Sequence, residues 1–360
     1  MSQQKALVVP ARGSPYTLIT KPIPISGPAE VLIKLEGIGL NQFEWYASHV
    51  PAFFDCFDIG TSDGAGVVEA VGSEVKGFKK GGRIVFQGFF FSDYSTYQQY
   101  ALSPKISIAK LPPTISTLEA SSIRAALVTA ANGFCQPNPA LPSSSYVGEK
   151  FDCPGRAGAA MKPFWEDGAE GIKAGEPMIV LGGSSSVGQL VIQISKYLGF
   201  SPIITTSSLK HAEYLKSLGA THVLDRHTPD ESLVRTIRDI VHDKPIQLAW
   251  DAIGAIMQAH IELLGPDGVF VLANPRSLTP QLVFTDGRKG VVPNGAVHAF
   301  KELGEGLFGS LESLLARGVI KPTRVEKVPG GLSGILEGHA KMQKNEVSGA
   351  KLVVDPTETP

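Results

Sequence analysis

The fold of this chain is decided by residues 180–193, which read VLGGSSSVGQLVIQ. The apolar run MIVLGG at 178–183 is typical of a buried strand. After the serines, Val187, Leu190 and Val191 recur at the spacing of one helix face. The stretch therefore predicts a strand, a tight turn and a helix in direct succession.

The turn has the glycine spacing of a phosphate-binding loop. It reads, in order, Gly183, Ser184, Ser185, Ser186, Val187 and Gly188, with Ser185 at the middle position of GxGxxG. A helix N-terminus behind such a turn attracts anions through its unpaired N–H groups and its dipole. A Walker loop would carry Lys after the final glycine, where this chain has Gln189. The turn therefore predicts a dinucleotide pyrophosphate site. The alternative is a plain turn whose serines cap the helix.

The end of the next predicted strand favours one dinucleotide. NAD sites place an Asp or Glu there to hold the ribose hydroxyls, and residues 205–211 contain no acid. Hydroxyls and cations that suit a 2′-phosphate are present instead, and one more cation follows the third strand: Ser207, Ser208, Lys210, His211 and Arg226. We therefore predict NADPH as the cofactor. The alternative is that Lys210 and Arg226 are ordinary surface charges.

Strands alternate with helices in the second half of the chain, whereas the first part is rich in short strands. This order predicts βαβ units and a parallel sheet. We predict an α/β protein with a β-rich lobe at 1–125 and 300–360 and a doubly wound, nucleotide-binding lobe at 126–299. Residues 115–135 predict a helix. Residues 136–177, rich in Pro, Ser and Gly, predict an irregular insertion.

The composition is that of an ordinary globular protein. The 360 residues carry a formal net charge of −1, so neither a nucleic-acid nor a membrane-surface partner is indicated. The three cysteines form no CxxC pair, which argues against a disulfide framework. The N-terminus lacks the form of a signal peptide, and no apolar run reaches the length of a membrane span. We expect a cytoplasmic protein that is a monomer or a homodimer.

Several segments resemble, in order, the medium-chain dehydrogenase/reductase superfamily. They include GPAEVLIKLEGIGLNQFEWY at 27–46, SDGAGVVEAVGSEVKGFKKGGRIVFQG at 62–88 and GLSGILEGHAKMQKNEVSGAKLVV at 331–354. The chain is similar in particular to the zinc-independent quinone oxidoreductase and enoyl reductase branch, including fungal trans-acting enoyl reductases and ToxD-like proteins. The resemblance implies a GroES-like catalytic lobe and a Rossmann lobe.

The resemblance also implies roles for individual residues. Asn41 corresponds to a position near the nicotinamide, and Val347 and Ser348 correspond to cofactor contacts in the tail. The positions that correspond to pyrophosphate contacts are Ser184, Ser185, Ser186 and Val187. Those that correspond to contacts with the adenosine phosphate are Ser208, Lys210 and His211. Arg226 stands where the relatives commonly have tyrosine, on the adenine side.

Zinc-dependent members carry an early Cys ligand and a Gly-His-Glu motif, and this chain departs from both. The first position falls near Asn41, and the second reads Thr61-Ser62-Asp63. Catalytic zinc takes three protein ligands of Cys, His or carboxylate type. The resemblance therefore implies a reductase without a metal.

A nicotinamide enzyme without a metal can deliver hydride to a C=C bond conjugated with a carbonyl. The resemblance makes Tyr46 the candidate to donate a hydrogen bond or a proton, and the alternative is an aromatic pocket wall. The predicted substrate is a small-molecule enone or a carrier-bound enoyl chain. The alternatives are a quinone oxidoreductase, a trans-acting partner of a polyketide synthase, and a nucleotide-binding protein without catalysis.

Overall fold

The computed structural model describes residues 2–10, 14–47, 63–89, 92–137, 157–274, 277, 279–297 and 301–360, apart from the side chains of residues 46 and 47. The chain divides into two compact units. The first unit comprises Met1–Ala125, Phe308–Arg317 and Lys321–Pro360, and the second comprises Ala126–Leu307 and Gly318–Ile320. Of the predicted insertion, residues 138–156 lie outside the described residues, and residues 157–177 contain no helix or strand.

The strands of the described residues are, in chain order, β1 (Gln3–Val8), β2 (Thr17–Pro22), β3 (Glu30–Gly39), β4 (Asp63–Val71), β5 (Arg83–Gln87), β6 (Tyr100–Pro104), β7 (Ile108–Lys110), β8 (Met178–Leu181), β9 (Ile203–Ser207), β10 (His222–Asp225), β11 (Ile246–Asp251), β12 (Leu264–Leu272), β13 (Lys289–Val291), β14 (Val325–Lys327) and β15 (Lys351–Val354). The helices are α1 (Gln42–Ala47), α2 (Thr117–Ala120), α3 (Arg124–Cys135), α4 (Ser186–Leu198), α5 (Ala212–Leu218), α6 (Asp230–Val241), α7 (Gln258–Ile261), α8 (Lys301–Ala316) and α9 (Gly334–Gln343). None of the helices of the described part is long and apolar enough to cross a membrane.

The first unit is built on a seven-stranded sheet in the order β14-β15-β3-β4-β5-β7, with β6 also paired to β3. Strand β3 is the centre of this sheet, since it pairs antiparallel with β4, β6 and β15. Its apolar side chains are buried in the core of the unit, among them Ile33, Leu35 and Ile38. Strand β15 comes from the end of the chain, so the C-terminal tail completes a sheet that the N-terminal part begins.

The end of β3 and the starts of β4 and β15 lie next to one another at the same end of this sheet. Asp63, the first residue of β4, lies opposite Gly39, the last residue of β3. Lys351 begins β15, in which Val353 also lies opposite Gly39. This register places Asp63 and Lys351 beside the residues that follow β3, where Asn41 lies.

The predicted helix over 115–135 is interrupted in the structure. The hydroxyls of Ser121 and Ser122 donate to carbonyls three residues earlier, at 2.8 and 2.7 Å, and α2 ends there. Helix α3 then begins at Arg124. A Cβ on Gly39 would lie 2.2 Å from Ser121 O. Glycine therefore lets the segment before Arg124 lie directly on β3.

The second unit contains a six-stranded sheet in the order β10-β9-β8-β11-β12-β13, in which every pairing is parallel. This is the doubly wound order, with its switch point between β8 and β11. The predicted α/β class is confirmed. Ligands of such sheets bind beyond the carboxyl ends of the strands at the switch point, which is where the predicted phosphate turn follows β8.

Candidate functional site

The predicted phosphate turn lies between β8 and α4 in the second unit. Gly182 has a φ of +80°, a conformation that residues with a side chain rarely adopt. A Cβ on Gly183 would lie 2.1 Å from Thr205 Oγ1, and one on Gly188 would lie 2.4 Å from Gly182 O. Both glycines are therefore required by close packing, the first against β9 and the second within the turn.

Ser185 is the N-cap of α4. Its Oγ accepts a hydrogen bond from Gly188 N at 3.0 Å, and its own N–H donates to Gly182 O at 3.0 Å. The hydroxyl hydrogen of Ser185 is left to donate to a ligand oxygen. The N–H groups of Ser186 and Val187, at the start of the helix, have no acceptor within it. The turn therefore fits an anionic pyrophosphate, and capping by Ser185 does not compete with that use.

A buried glutamine anchors the turn. Gln189 Nε2 donates to Ser184 O at 2.9 Å, and Gln189 Oε1 accepts from Tyr214 OH at 2.8 Å. The Gln189 side chain is wholly buried. Sequence reasoning used Gln189 only to exclude a Walker loop and missed this role. A polar amide within an apolar helical run was the available signal.

The hydroxyls and cations predicted for a 2′-phosphate lie at the end of β9 and in the residues that follow it. Ser207 is buried, and its Oγ has no hydrogen-bond partner among the described residues. Arg226 N donates to Ser207 O at 3.0 Å, which brings the residue after β10 beside it. Ser208 is followed by a 3₁₀ turn in which Lys210 is exposed and His211 is buried. Within the described ranges, Lys210 forms no ion pair.

One acid that the sequence argument left out lies at this edge. Asp225, the last residue of β10, is opposite Ser207 in the parallel register. Its Oδ1 accepts the N–H of His227 at 3.0 Å.

In the first unit, hydrogen bonds hold the side-chain amide of Asn41 in one orientation. Asn41 Nδ2 donates to Glu44 Oε1 at 2.6 Å and to Asp63 Oδ2 at 3.2 Å. Asn41 Oδ1 accepts from Lys351 Nζ, and the backbone N–H of Asn41 donates to Glu44 Oε2. The last contact satisfies an N–H at the start of α1, as Glu does in a capping box. Residues from β4, α1 and β15 thus converge on Asn41, which follows β3.

Asp63 is the wholly buried anion of this cluster. Its Oδ2 lies 2.9 Å from Lys351 Nζ, its Oδ1 lies 3.3 Å from Arg124 Nε, and Oδ1 also accepts Ala125 N at 2.6 Å. Burial raises the pKa of Asp63, but the charges of Lys351 and Arg124 and the hydrogen bonds outweigh it, so the net pKa is lowered. Asp63 is therefore ionised at neutral pH.

Sequence reasoning missed Arg124, Lys351 and the role of Asp63 as their shared partner. Arg124 is wholly buried at the first position of α3. Burial lowers the pKa of Arg124 to about 10, although the nearby Asp63 and Glu44 charges oppose this shift. The available signal was a single cation in the apolar stretch 120–131, ASSIRAALVTAA.

The remaining predicted site residues also belong to the first unit. Tyr46 falls in α1, and its side chain lies outside the described residues. Val347 and Ser348 lie between α9 and β15, where the half-buried Val347 packs against the core of the unit. Ser348 is exposed.

A catalytic zinc does not fit the arrangement around Asn41. The Asn41 Oδ1 and Asp63 Oδ2 atoms both accept from the Lys351 ammonium, whose charge would repel a second cation. No group of three or more His, Cys, Asp and Glu side chains that could hold a metal occurs in the described part of the chain. Thr61 and Ser62 lie outside that part.

Both units match known families. Residues 27–113 match the alcohol dehydrogenase GroES-like domain, and residues 186–281 match the zinc-binding dehydrogenase family. A trans-enoyl reductase of Aspergillus sclerotiorum is 28% identical, over 97% of this chain and 99% of its own. A chloroplastic quinone-oxidoreductase of Triphysaria versicolor is 29% identical, over 63% of this chain and 62% of its own. A crotonyl-CoA carboxylase/reductase solved in complex with NADP superposes with a TM-score of 0.73 at 17% identity, over 98% of this chain and 95% of that one.

These similarities extend over both units, and the chain belongs to the medium-chain dehydrogenase/reductase superfamily, as its motifs predicted. Within that superfamily it falls in the enoyl reductase branch, and it is an NAD(P)-dependent reductase.

Proposed function

We propose that this protein uses NADPH to reduce the C=C bond of an α,β-unsaturated carbonyl compound. The observation that supports NADPH is the acid-free end of β9, with Ser207, Ser208 and Lys210, next to the turn that begins α4. The chain also matches trans-enoyl reductases along nearly its whole length. The predicted split of the chain into a catalytic part and a cofactor-binding part belongs to this proposal.

In the second unit, the proposed cofactor contacts follow from the turn. The Ser185 hydroxyl and the N–H groups of Ser186 and Val187 donate to the pyrophosphate, which the α4 dipole also favours. Ser207, Ser208, Lys210, His211 and Arg226 surround the 2′-phosphate. The positive charges of Lys210 and Arg226 attract the 2′-phosphate, and the carboxylate of Asp225 opposes them in part, so we expect NADPH to be preferred over NADH.

In the first unit, Asn41 is the proposed residue near the nicotinamide, together with Val347 and Ser348 of the tail. Bound NADPH supplies the hydride that the substrate accepts at its β-carbon. The buried Lys351 and Asp63 side chains hold the Asn41 amide in one orientation, so the surface it presents is preorganised. Tyr46 is the proposed proton donor to the α-carbon, by its place after Asn41 in the sequence.

No metal takes part in the proposed reaction. The positions of the zinc ligands in metal-dependent relatives hold Asn41 and Thr61-Ser62-Asp63. The Lys351 ammonium beside Asn41 and Asp63 supports this. We further propose that the protein acts in the cytoplasm as a monomer or a homodimer.

A quinone oxidoreductase is the second candidate, because the chain also resembles a chloroplastic quinone-oxidoreductase. A trans-acting partner of a polyketide synthase is the third, because several relatives are trans-enoyl reductases. A nucleotide-binding protein without turnover is the fourth.

The test is to follow NADPH oxidation with an enone, a quinone and an enoyl group tethered to a carrier protein, with NADH as the control donor. We expect stoichiometric NADPH loss and a saturated carbonyl product from the enone. Turnover of the quinone alone would favour the second candidate, and turnover of the tethered chain alone the third. NADPH binding without turnover of any acceptor would overturn the enzymatic proposal.

A further inference from the structure

Arg124 is a buried charged side chain whose contact with Asp63 leaves its two terminal nitrogens without a hydrogen-bond partner among the described residues. It is wholly buried, and its Nε lies 3.3 Å from Asp63 Oδ1. Neither Nη1 nor Nη2 has a hydrogen-bond partner among the described residues. Such donors have lost water without gaining an acceptor, and buried polar groups in folded proteins are seldom left that way. Nη1 and Nη2 of Arg124 can therefore donate to an acceptor that is not among the described residues.

The electrostatic surroundings of Arg124 favour an anionic acceptor. Arg124 is the first residue of the twelve-residue helix α3, and the helix dipole places partial positive charge at that end. The Asp63 carboxylate forms ion pairs with both Arg124 and Lys351, and it also accepts a hydrogen bond from Ala125 N. Glu44 lies within electrostatic range of Arg124, but both of its oxygens accept from Asn41. The guanidinium therefore shares its one close carboxylate, that of Asp63, with Lys351.

Arg124 and Asn41 meet at the same carboxylate. Asn41 Nδ2 donates to Asp63 Oδ2, and Arg124 Nε lies against Asp63 Oδ1. We propose that Arg124 is a catalytic residue that donates hydrogen bonds from Nη1 and Nη2 to the carbonyl oxygen of the unsaturated substrate. This inference rests on the proposed function, in which Asn41 lies near the nicotinamide.

The proposed role of Arg124 is to hold negative charge as it forms. When hydride makes the new C–H bond at the β-carbon, the C=C π electrons shift and leave the carbonyl oxygen as an enolate. A proton then makes the C–H bond at the α-carbon and the carbonyl re-forms, so the substrate gains two electrons and NADPH becomes NADP⁺. The Arg124 guanidinium stays charged at neutral pH, since its pKa is about 10. Fixed donors of this kind contribute about 100-fold to 1,000-fold in rate.

The experiment uses R124M and R124K, with R83M as the matched control. Arg83 is a half-buried arginine of β5 that donates to Ile115 O. In R124M, Asp63 keeps Lys351 as its partner, so the variant is expected to fold. We expect kcat for the enone to fall at least about 100-fold in R124M, with KM changed by less than about threefold. R83M is expected to keep the wild-type kcat.

A ligand-binding readout separates this role from a structural one. In the presence of NADP⁺, para-nitrophenol reports an oxyanion site, because its phenolate absorbs in the visible range. The wild type is expected to lower the pKa of the bound phenol, and R124M is expected to bind it as the neutral form. The neutral para-nitroanisole is expected to bind the wild type and R124M equally.

Three outcomes would overturn the inference. They are an R124M kcat within about threefold of the wild type, an equal loss of both aromatic ligands in R124M, and a wild type that does not prefer the phenolate. If R124M does not fold, the kcat of R124K and the phenol titration of the wild type decide whether the inference stands. A wild type that reduces no enone yet binds phenolate through Arg124 would refute the proposed function but keep the anion site.

Discussion

Asp63 accepts a hydrogen bond from Lys351 at 2.9 Å, and this contact joins the first residue of β4 to the first residue of β15. Both side chains also bond to the amide of Asn41. The orientation of a residue early in the chain is thus set by a lysine near its end. The C-terminal strand is therefore part of the candidate site as well as of the sheet.

Replacing Asp63 is expected to destabilise the protein strongly. In D63N, the buried Lys351 and Arg124 charges lose their shared carboxylate, and breaking a buried ion pair in this way costs about 3–5 kcal/mol. The measurement is the free energy of unfolding in urea. E326Q, which removes an exposed partner of Lys341, is the control and is expected to cost less than about 1 kcal/mol. Equal effects of the two variants would contradict this account.

The acid limb of the stability curve is expected to depend on Asp63. Its pKa in the folded protein is lowered below the ordinary value of 3.8, so the unfolded chain binds the proton more readily. The stabilisation is fully present above that value and is lost as the pH falls through the folded pKa. Urea unfolding of the wild type and D63N below about pH 4 should show a shallower pH dependence in D63N. Parallel curves would show that Asp63 does not titrate in this way.

Reversing the charge of Lys210 is expected to change cofactor preference. K210E should weaken NADPH binding by at least about tenfold, or ~1.4 kcal/mol, because Glu would repel the 2′-phosphate. NADH binding should change little. Fluorescence titration of both cofactors measures this, and K216E, an exposed lysine of α5, is the control. An equal loss of both cofactors in K210E would refute the 2′-phosphate site.

Removing the Ser185 hydroxyl is expected to affect the helix and the cofactor together. S185A leaves Gly188 N without its cap, which costs about 1 kcal/mol of stability. It also removes a donor to the proposed pyrophosphate, so both NADPH and NADH should bind more weakly. S217A, which removes an exposed hydroxyl on α5, should stay within about 0.5 kcal/mol. A stable S185A with unchanged cofactor affinity would leave Ser185 without either role.

Cys135 is expected to resist thiol reagents in the folded protein. Burial raises the pKa of this thiol to about 12, so almost no thiolate is present at neutral pH. Mass spectrometry after maleimide treatment should show Cys135 unmodified in buffer and modified in denaturant. Rapid modification in buffer would mean that the segment around Cys135 opens readily.

The sequence by itself determined the strand, turn and helix around Ser185, because glycine spacing and apolar periodicity are local properties of the chain. It also determined the parallel α/β sheet, since alternating strands and helices permit few topologies. The hydroxyls and cations after β9 were visible for the same reason. The break between α2 and α3 was missed, because serine side chains competed with the backbone for carbonyls there.

Only the tertiary structure decided what surrounds Asn41. Lys351 and Arg124 reach Asp63 because β15 pairs with β3 and because Gly39 lets the segment before α3 lie on that strand. Neither contact follows from periodicity, since each joins residues far apart in the chain. A single buried cation in an apolar stretch shows that a partner must exist. Which carboxylate it meets depends on strand register and close packing, and these are properties of the folded chain alone.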